Sequence, residues 1–212
     1  MRLPAPLVLV AVLACHAGAK HGEPSPEPLE HSLSGLAGQP LVVLPVYAVR
    51  VMPGLDWGRM IGHPSDVERT LDADILSALD ERGLGKAWIL PARLEQSYRL
   101  NSSYAADPYA LAEEPLRSPS LAQDARLPEP LATQLRTLVA LHDNARLILA
   151  PVELRFERAA SGGRGVLRVV LIDPRFSRVN WMGDIASDPL PEFGPAISAG
   201  IAAKLASVLA AP

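Results

Sequence analysis

The chain has 212 residues, with 20 lysines and arginines against 23 aspartates and glutamates, a formal net charge of −3. That balance creates no basic field, so nucleic acid is excluded as a partner. A single cysteine excludes an internal disulfide, so the fold must rest on an apolar core.

The N-terminus reads as an export signal. Arg2 precedes a short apolar run from Leu7 to Ala14 that ends on Cys15. A run of that length is too short for a permanent membrane span and fits a signal peptide. Two endings are open. Val12-Leu13-Ala14-Cys15 resembles a bacterial lipobox, cleaved before a diacylated cysteine, although Leu13 stands where a small residue is usual. Ala17-Gly18-Ala19 fits the small-x-small rule of ordinary signal peptidase, which would cut after Ala19 and discard Cys15. Cys15 stands where the apolar run stops, which favours lipidation there and a periplasmic, membrane-anchored protein. Residues 20–40 then form a tether, with Pro24, Pro26, Pro28 and Pro40 among Glu23, Glu27 and Glu30. Such a segment is extended and solvated.

Residues 41–212 are enough for one α/β domain. Leu41 to Arg50 is apolar and β-branched and predicts a first strand. A helix follows, opened by a Ser65–Glu68 capping box, with Val67, Leu71, Ile75 and Leu79 on one side and Gly83 and Gly85 at its end. A second strand is expected over Lys86 to Tyr98. A second helix follows Pro130, with Leu131, Leu135, Leu138 and His142 on its apolar side and Asn144 as its stop.

The third strand, Arg146 to Arg158, is continuously apolar at first. Val152, Leu154 and Phe156 then alternate with Glu153, Arg155 and Glu157, so both faces are covered at its start and one beyond. Val166 to Ile172 and Phe176 to Met182 form an antiparallel hairpin around Asp173-Pro174-Arg175, and a helix over Pro195 to Leu209 closes the chain. The order is β-α-β-α-β-β-β-α, a mixed sheet of about five strands with helices packed on it and parallel pairing at its centre. Pro45, Pro91 and Pro151 each follow a short apolar run and predict bulges or breaks in pairing.

A strand reading Leu41-Val42-Val43-Leu44-Pro45, a helix ending at Gly83, a helix leading into Arg146-Leu147-Ile148-Leu149-Ala150, and a hairpin finishing in Val179-Asn180-Trp181-Met182-Gly183 resemble a known group. It is the periplasmic α/β domain shared by the curli secretion lipoprotein, the penicillin-binding-protein activator lipoproteins and the N-terminal domain of the Tol translocation protein. The resemblance lies in element order and implies a noncatalytic envelope assembly or accessory factor. The secretion member inserts amphipathic barrel strands. Here the corresponding stretch, Arg99 to Pro128, holds Pro108, Pro115, Pro119 and Pro128 and lacks the alternation of a barrel strand, which speaks against a channel subunit.

No motif announces catalysis. His63 and His142 sit on different elements without HxH or HExxH spacing, so no metal and no cofactor are expected. Asp72 and Asp74 are two apart on a helix, point to different faces and read as solvated. Turn and capping roles account for Asp173 and Asp184. Gly162, Gly163 and Gly165 fall in a hairpin, without the helix N-terminus that phosphate binding requires. A hydrolase acting on a small molecule or glycan stays open only as a site assembled from distant residues.

Trp88 is expected in the core and Trp181 against the C-terminal helix. Trp57 lies in the apolar loop Met52 to Ile61. Exposed, that loop is a docking patch; buried, it caps the sheet. The 99–128 loop carries Tyr104 and Tyr109 and reads either as a functional loop or as cover for a sheet edge. The partner-binding residues expected are therefore Leu55, Trp57, Met60, Tyr104 and Tyr109, with another envelope protein or a cell-wall component as partner.

Overall fold

Proline cannot donate to a strand ladder, and the sheet is shaped by where its prolines fall. The computed structural model describes Leu33, residues 35–142 and residues 145–210. In it the first apolar run is cut around Pro45 into β1 (Leu41–Val43) and β2 (Ala48–Val51). Both run parallel to the long strand β3 (Leu147–Ala159), β1 along its first half and β2 along its second. β3 pairs antiparallel with β4 (Gly162–Asp173), and β4 with β5 (Arg178–Ala186). This is a five-stranded mixed sheet in the order β1-β3-β4-β5, with β2 on the same edge of β3 as β1.

Helices cover both faces. On one, α1 (Pro64–Glu81) and α4 (Pro195–Ala210) bury Leu71, Ile75, Ile201 and Leu205 against Leu149, Leu154 and Leu167. On the other, α2 (Pro91–Leu100), α3 (Leu131–Ala140) and the segment between them bury Leu94, Leu116 and Leu135 against Ile148, Ala150 and Val170. β3 is buried continuously from Ile148 to Leu154 and alternates only afterwards, later than the alternation expected from Val152 onward. Among the described residues no helix is long and apolar enough to cross a membrane.

The strand expected over residues 86–98 does not form. Ile89 alone bridges to Val42, its N–H donating to the Leu41 carbonyl at 2.8 Å. Pro91 then starts α2, because a fixed φ and a missing N–H suit the first turn of a helix as well as they suit the end of a strand. Leu94 and Tyr98 are a four-residue repeat on that helix. β2 is consequently joined to β3 through three successive helices.

The same proline preference moves the start of α1. His63 is its N-cap and Pro64 its first residue, so Ser65 lies inside the helix and the Ser65–Glu68 capping box is not made. The solvated segment also ends before Pro40, since Leu33 and Leu36 are buried in the core beneath α1 and α4. β4 begins at Gly162, earlier than expected, which makes Gly163 and Gly165 strand positions. Cys15, the signal and most of the expected tether, and Asn144 lie outside the described residues.

Pro151 has the largest structural consequence. The β3–β4 register shifts between Pro151 and Glu153, and the extra residue turns Val152 and Glu153 toward the same face. Val152 packs in the α2–α3 core. Glu153, expected on the solvated side of an alternating strand, is 4% exposed. It accepts hydrogen bonds from Arg117 Nε at 2.9 Å and Nη2 at 2.5 Å, and Arg50 Nε lies 3.3 Å away. Arg168, paired opposite Glu153, donates from Nη1 to the carbonyls of Arg117 and Ser118 at 3.3 and 3.2 Å. The 99–128 segment is thereby fastened onto a sheet face. Only its tail follows an edge: Arg126 bridges antiparallel to Arg178, and Asp124 N–H donates to the Val179 carbonyl at 2.8 Å.

Removing one partner of a buried ion pair strands the other. Glu153→Ala is expected to lower stability by about 3–5 kcal/mol in urea unfolding. Glu114→Ala, which removes the exposed partner of the same Arg117 (66% exposed side chain), should cost under about 1 kcal/mol.

Candidate functional site

Two concavities flank α1. The first lies between α1 and α4 and is built on three aromatic rings. Trp57, in a 3-10 turn spanning Asp56–Arg59, is 3% exposed. Of the two states open to its loop, this is the buried one. Its ring meets Phe156 at 5.9 Å and Phe193 at 5.8 Å, and those two meet edge to face at 5.4 Å. The turn can approach because Gly163 has no side chain: a Cβ there would stand 2.6 Å from the Trp57 ring. Leu55 is half-buried in the same cluster, and Met60 is exposed at the end of the turn.

Beside these rings opens a pocket of about 250 Å³, lined by Val67, Leu154, Phe156, Phe193 and Ile197. Polar residues stand at its rim, and most are engaged within their own helix. Asp66 pairs with Arg69, Thr70 Oγ1 donates to the Asp66 carbonyl at 2.8 Å, and Ser198 Oγ donates to the Pro195 carbonyl at 3.0 Å. What remains for a ligand is apolar surface. His63 is also at this pocket, whereas His142 follows α3 on the opposite face of the sheet.

The second concavity is a cleft of about 350 Å³ lined by Val46, Ser65, Glu68, Arg69, Asp72, Glu95 and Tyr109. Asp72, expected in solvent, is half-buried and accepts the Val46 N–H at 2.8 Å. Desolvation pushes its carboxyl up to about 7; the Val46 hydrogen bond opposes this and nearby Glu68 adds to it. Glu113, in the 99–128 segment, is 1% exposed, and its Oε2 has no hydrogen-bond partner. Burial pushes it up to about 8, with the charge of Asp72 contributing. Desolvation also raises Glu68, and it raises the Tyr109 phenol with help from Asp72, Glu95 and Asp107. Two arginines offset these carboxyls: Arg69, which pairs with Asp66, also lowers Glu68, and Arg99 pairs with Glu95 of the cleft itself.

The five expected contact residues are therefore divided. Leu55, Trp57 and Met60 belong to the aromatic turn, and Tyr109 to the carboxylate cleft. Tyr104 is exposed after α2, its hydroxyl donating to Asn101 Oδ1 at 2.5 Å. Asp173 holds the β4–β5 turn by accepting the Arg175 N–H at 2.9 Å, and Asp184 lies within β5, paired with Arg155 at 2.5 Å. Neither Asp72 nor Glu113 was legible as a site residue. Glu113 stands next to Glu114 with nothing in the sequence to separate the buried carboxylate from the exposed one. No group of three histidine, cysteine or acidic side chains among the described residues is placed to hold a metal ion.

Asp72 and Glu113 bind protons more tightly folded than unfolded. Their stabilising contribution is present below the ordinary carboxylate range and is lost as pH rises through about 7 and about 8. Glu113→Gln stays neutral throughout. Its melting temperature relative to the wild type should climb between about pH 5 and about pH 9, read by thermal unfolding across that series.

No family model matches the chain, and no curated protein matches it. Among solved structures, a PelC dodecamer from Paraburkholderia phytofirmans is similar at 14% identity, covering 82% of this chain and 88% of that one, with a TM-score of 0.38. The LpoB C-terminal domain from Escherichia coli is similar at 13% identity over 71% of this chain and 83% of that one, TM-score 0.35. The same domain from Salmonella enterica aligns at 12% identity over 70% and 82%, TM-score 0.34.

Proposed function

We propose that this chain is an exported envelope protein, anchored through a lipid on Cys15, that acts without catalysis by binding another envelope protein or a cell-wall component. The observation that carries the reading is the α1–α4 pocket. It offers Phe156, Phe193, Leu154 and Ile197 to an incoming apolar group, while its rim hydroxyls and Asp66 are bonded internally. A rigid aromatic floor of this kind anchors a partner's side chain at little entropic cost. Met60 and Leu55 extend that surface, with Tyr104 and Tyr109 as a second contact patch. The apolar run ending at Cys15 supports the periplasmic location.

One observation favours a second reading. In the cleft, Asp72, whose carboxyl is pushed up to about 7, shares the lining with Glu95, and a glycan or small-molecule hydrolase needs two carboxyls in one cleft. Against it, Asp72 is tied to the Val46 N–H and Glu95 to Arg99.

Thr70 is exposed at the pocket mouth, so Thr70→Arg should fold normally and close it. In pull-downs from envelope fractions, that variant is expected to capture at least about tenfold less of a specific partner than the wild type; undiminished capture would remove the pocket from the binding surface. Intact mass of the mature protein should show a diacylated N-terminal Cys15, absent in Cys15→Ser. A mass beginning at unmodified Lys20 would end the anchor.

A further inference from the structure

We infer that the end of the sheet where the chain enters the domain rests on an anionic lipid surface, with Phe176 at headgroup depth and the arginines around it on lipid phosphates. The inference rests on the envelope location proposed above and not on what the α1–α4 pocket binds. Strand register defines this end. β1 and β3 start here at the Leu41–Leu147 pair, and β4 finishes here at Asp173, opposite Arg178 of β5. The turn between β4 and β5 carries Phe176, 63% exposed. Asp173 fixes that turn by accepting the Arg175 N–H at 2.9 Å, so the ring is held outside the core. The guanidinium groups of Arg175 and Arg178 lie 5.5 and 5.8 Å from its centroid. An apolar ring flanked by cations suits a boundary of acyl chains and phosphates, where each group finds its own partner.

Charge is the second support. Arg126 bridges to Arg178, Arg136 Nη1 donates to Ser177 Oγ at 2.6 Å, and Arg146 stands immediately before β3. The carboxylates beside the turn are each held by one arginine: Asp173 by Arg175 at 2.7 Å, Glu129 by Arg136 at 3.0 Å and Asp124 by Arg178 at 3.6 Å. Arg126 and Arg146 are the surplus. Both are exposed, and among the described residues their side chains have no partner. The third support is the path of the chain. Pro40 leads into β1 from this end, its carbonyl accepting the Arg146 N–H at 3.4 Å, so an anchor on Cys15 would present this end to the membrane first. Docking there has a consequence for the pocket. From Arg146 to Phe156 the strand advances about 30 Å at roughly 3.3 Å per residue, which holds the aromatic floor clear of the headgroups and open to a partner.

The test is co-sedimentation of the full chain carrying Cys15→Ser with vesicles of about three parts phosphatidylcholine to one part phosphatidylglycerol, against vesicles of phosphatidylcholine alone. Residues 1–32 are the same in every variant, so their own affinity for lipid cancels in the comparison. Binding to the anionic vesicles is expected to be at least about tenfold tighter and to fall as salt is added. Arg126→Ala and Arg146→Ala should each weaken it about fivefold, and Phe176→Ser by at least as much. All three side chains are exposed, so these variants keep the fold. Arg59→Ala, the same change at the opposite end of the sheet, should bind like the parent chain. In Phe176→Trp the added fluorescence should shift to the blue on anionic vesicles. Equal binding to the two vesicle types, unchanged binding in the Arg126, Arg146 and Phe176 variants, or capture of soluble polyphosphate with no binding to vesicles would overturn the inference. None of these results touches the pocket, which the Thr70→Arg pull-down reads separately.

Discussion

A carboxylate on a face otherwise filled with hydrocarbon organises one whole side of this protein. Glu153 is there because Pro151 cannot complete the ladder and the strand absorbs one extra residue, which turns two consecutive side chains the same way. An isolated ionised carboxylate in that position would cost several kcal/mol. The fold answers with arginines from three elements: Arg117 in the α2–α3 segment, Arg50 on β2 and, at 4.0 Å, Arg155 on β3 itself. Arg117 cannot reach Glu153 unless its segment lies on the sheet, and Arg168 holds the same segment by its carbonyls. The consequences extend upstream. Once residue 117 is fixed, Leu116 and Leu111 pack into the core and Glu113 is buried between them in sequence.

The other face follows a different rule, the fit of large rings over absent side chains. Trp57 occupies space that a Cβ on Gly163 would claim, and Ile197 and Ile201 of α4 occupy the space over Gly165. Two glycines in one strand thus make room for the aromatic turn before α1 and the helix at the chain's end. Neither glycine is there for a turn. Overpacking by a single methyl at such places forces side chains or backbone to shift.

These two rules divide what was legible in the sequence from what was not. α1, α4, β3 and the β4–β5 hairpin are visible because their apolar residues repeat at the period of their own backbone, a local property. α2 was hidden because Pro91 is compatible with two opposite structures, and the short run before it resembles a strand. Burial of Trp57 depends on a glycine more than a hundred residues later, which no local period encodes. Strict alternation puts Glu153 in solvent, and the bulge at Pro151, itself expected to disturb the pairing, breaks that alternation. The spacing of Asp72 from Asp74 carries no information about burial. What decides its state is its packing beside Val46 in the break between β1 and β2.

Helix α1 joins the two candidate sites. Asp66, Val67 and Thr70 look into the aromatic pocket, while Ser65, Glu68, Arg69 and Asp72 line the carboxylate cleft. Residues three and four apart share a helix face, so both sets are coherent stripes, separated by the buried line of Leu71, Ile75 and Leu79. Because that line is packed against the sheet and α4, the helix is not free to roll, and each stripe is held at a fixed height over its concavity. The two surfaces nonetheless respond to different conditions. The pocket offers apolar surface, whose contacts are insensitive to salt, whereas the cleft carries charges that added salt screens and protons cancel. One amphipathic helix therefore presents an apolar contact and a pH-dependent electrostatic one side by side, and a partner that engages both must match their separation across α1.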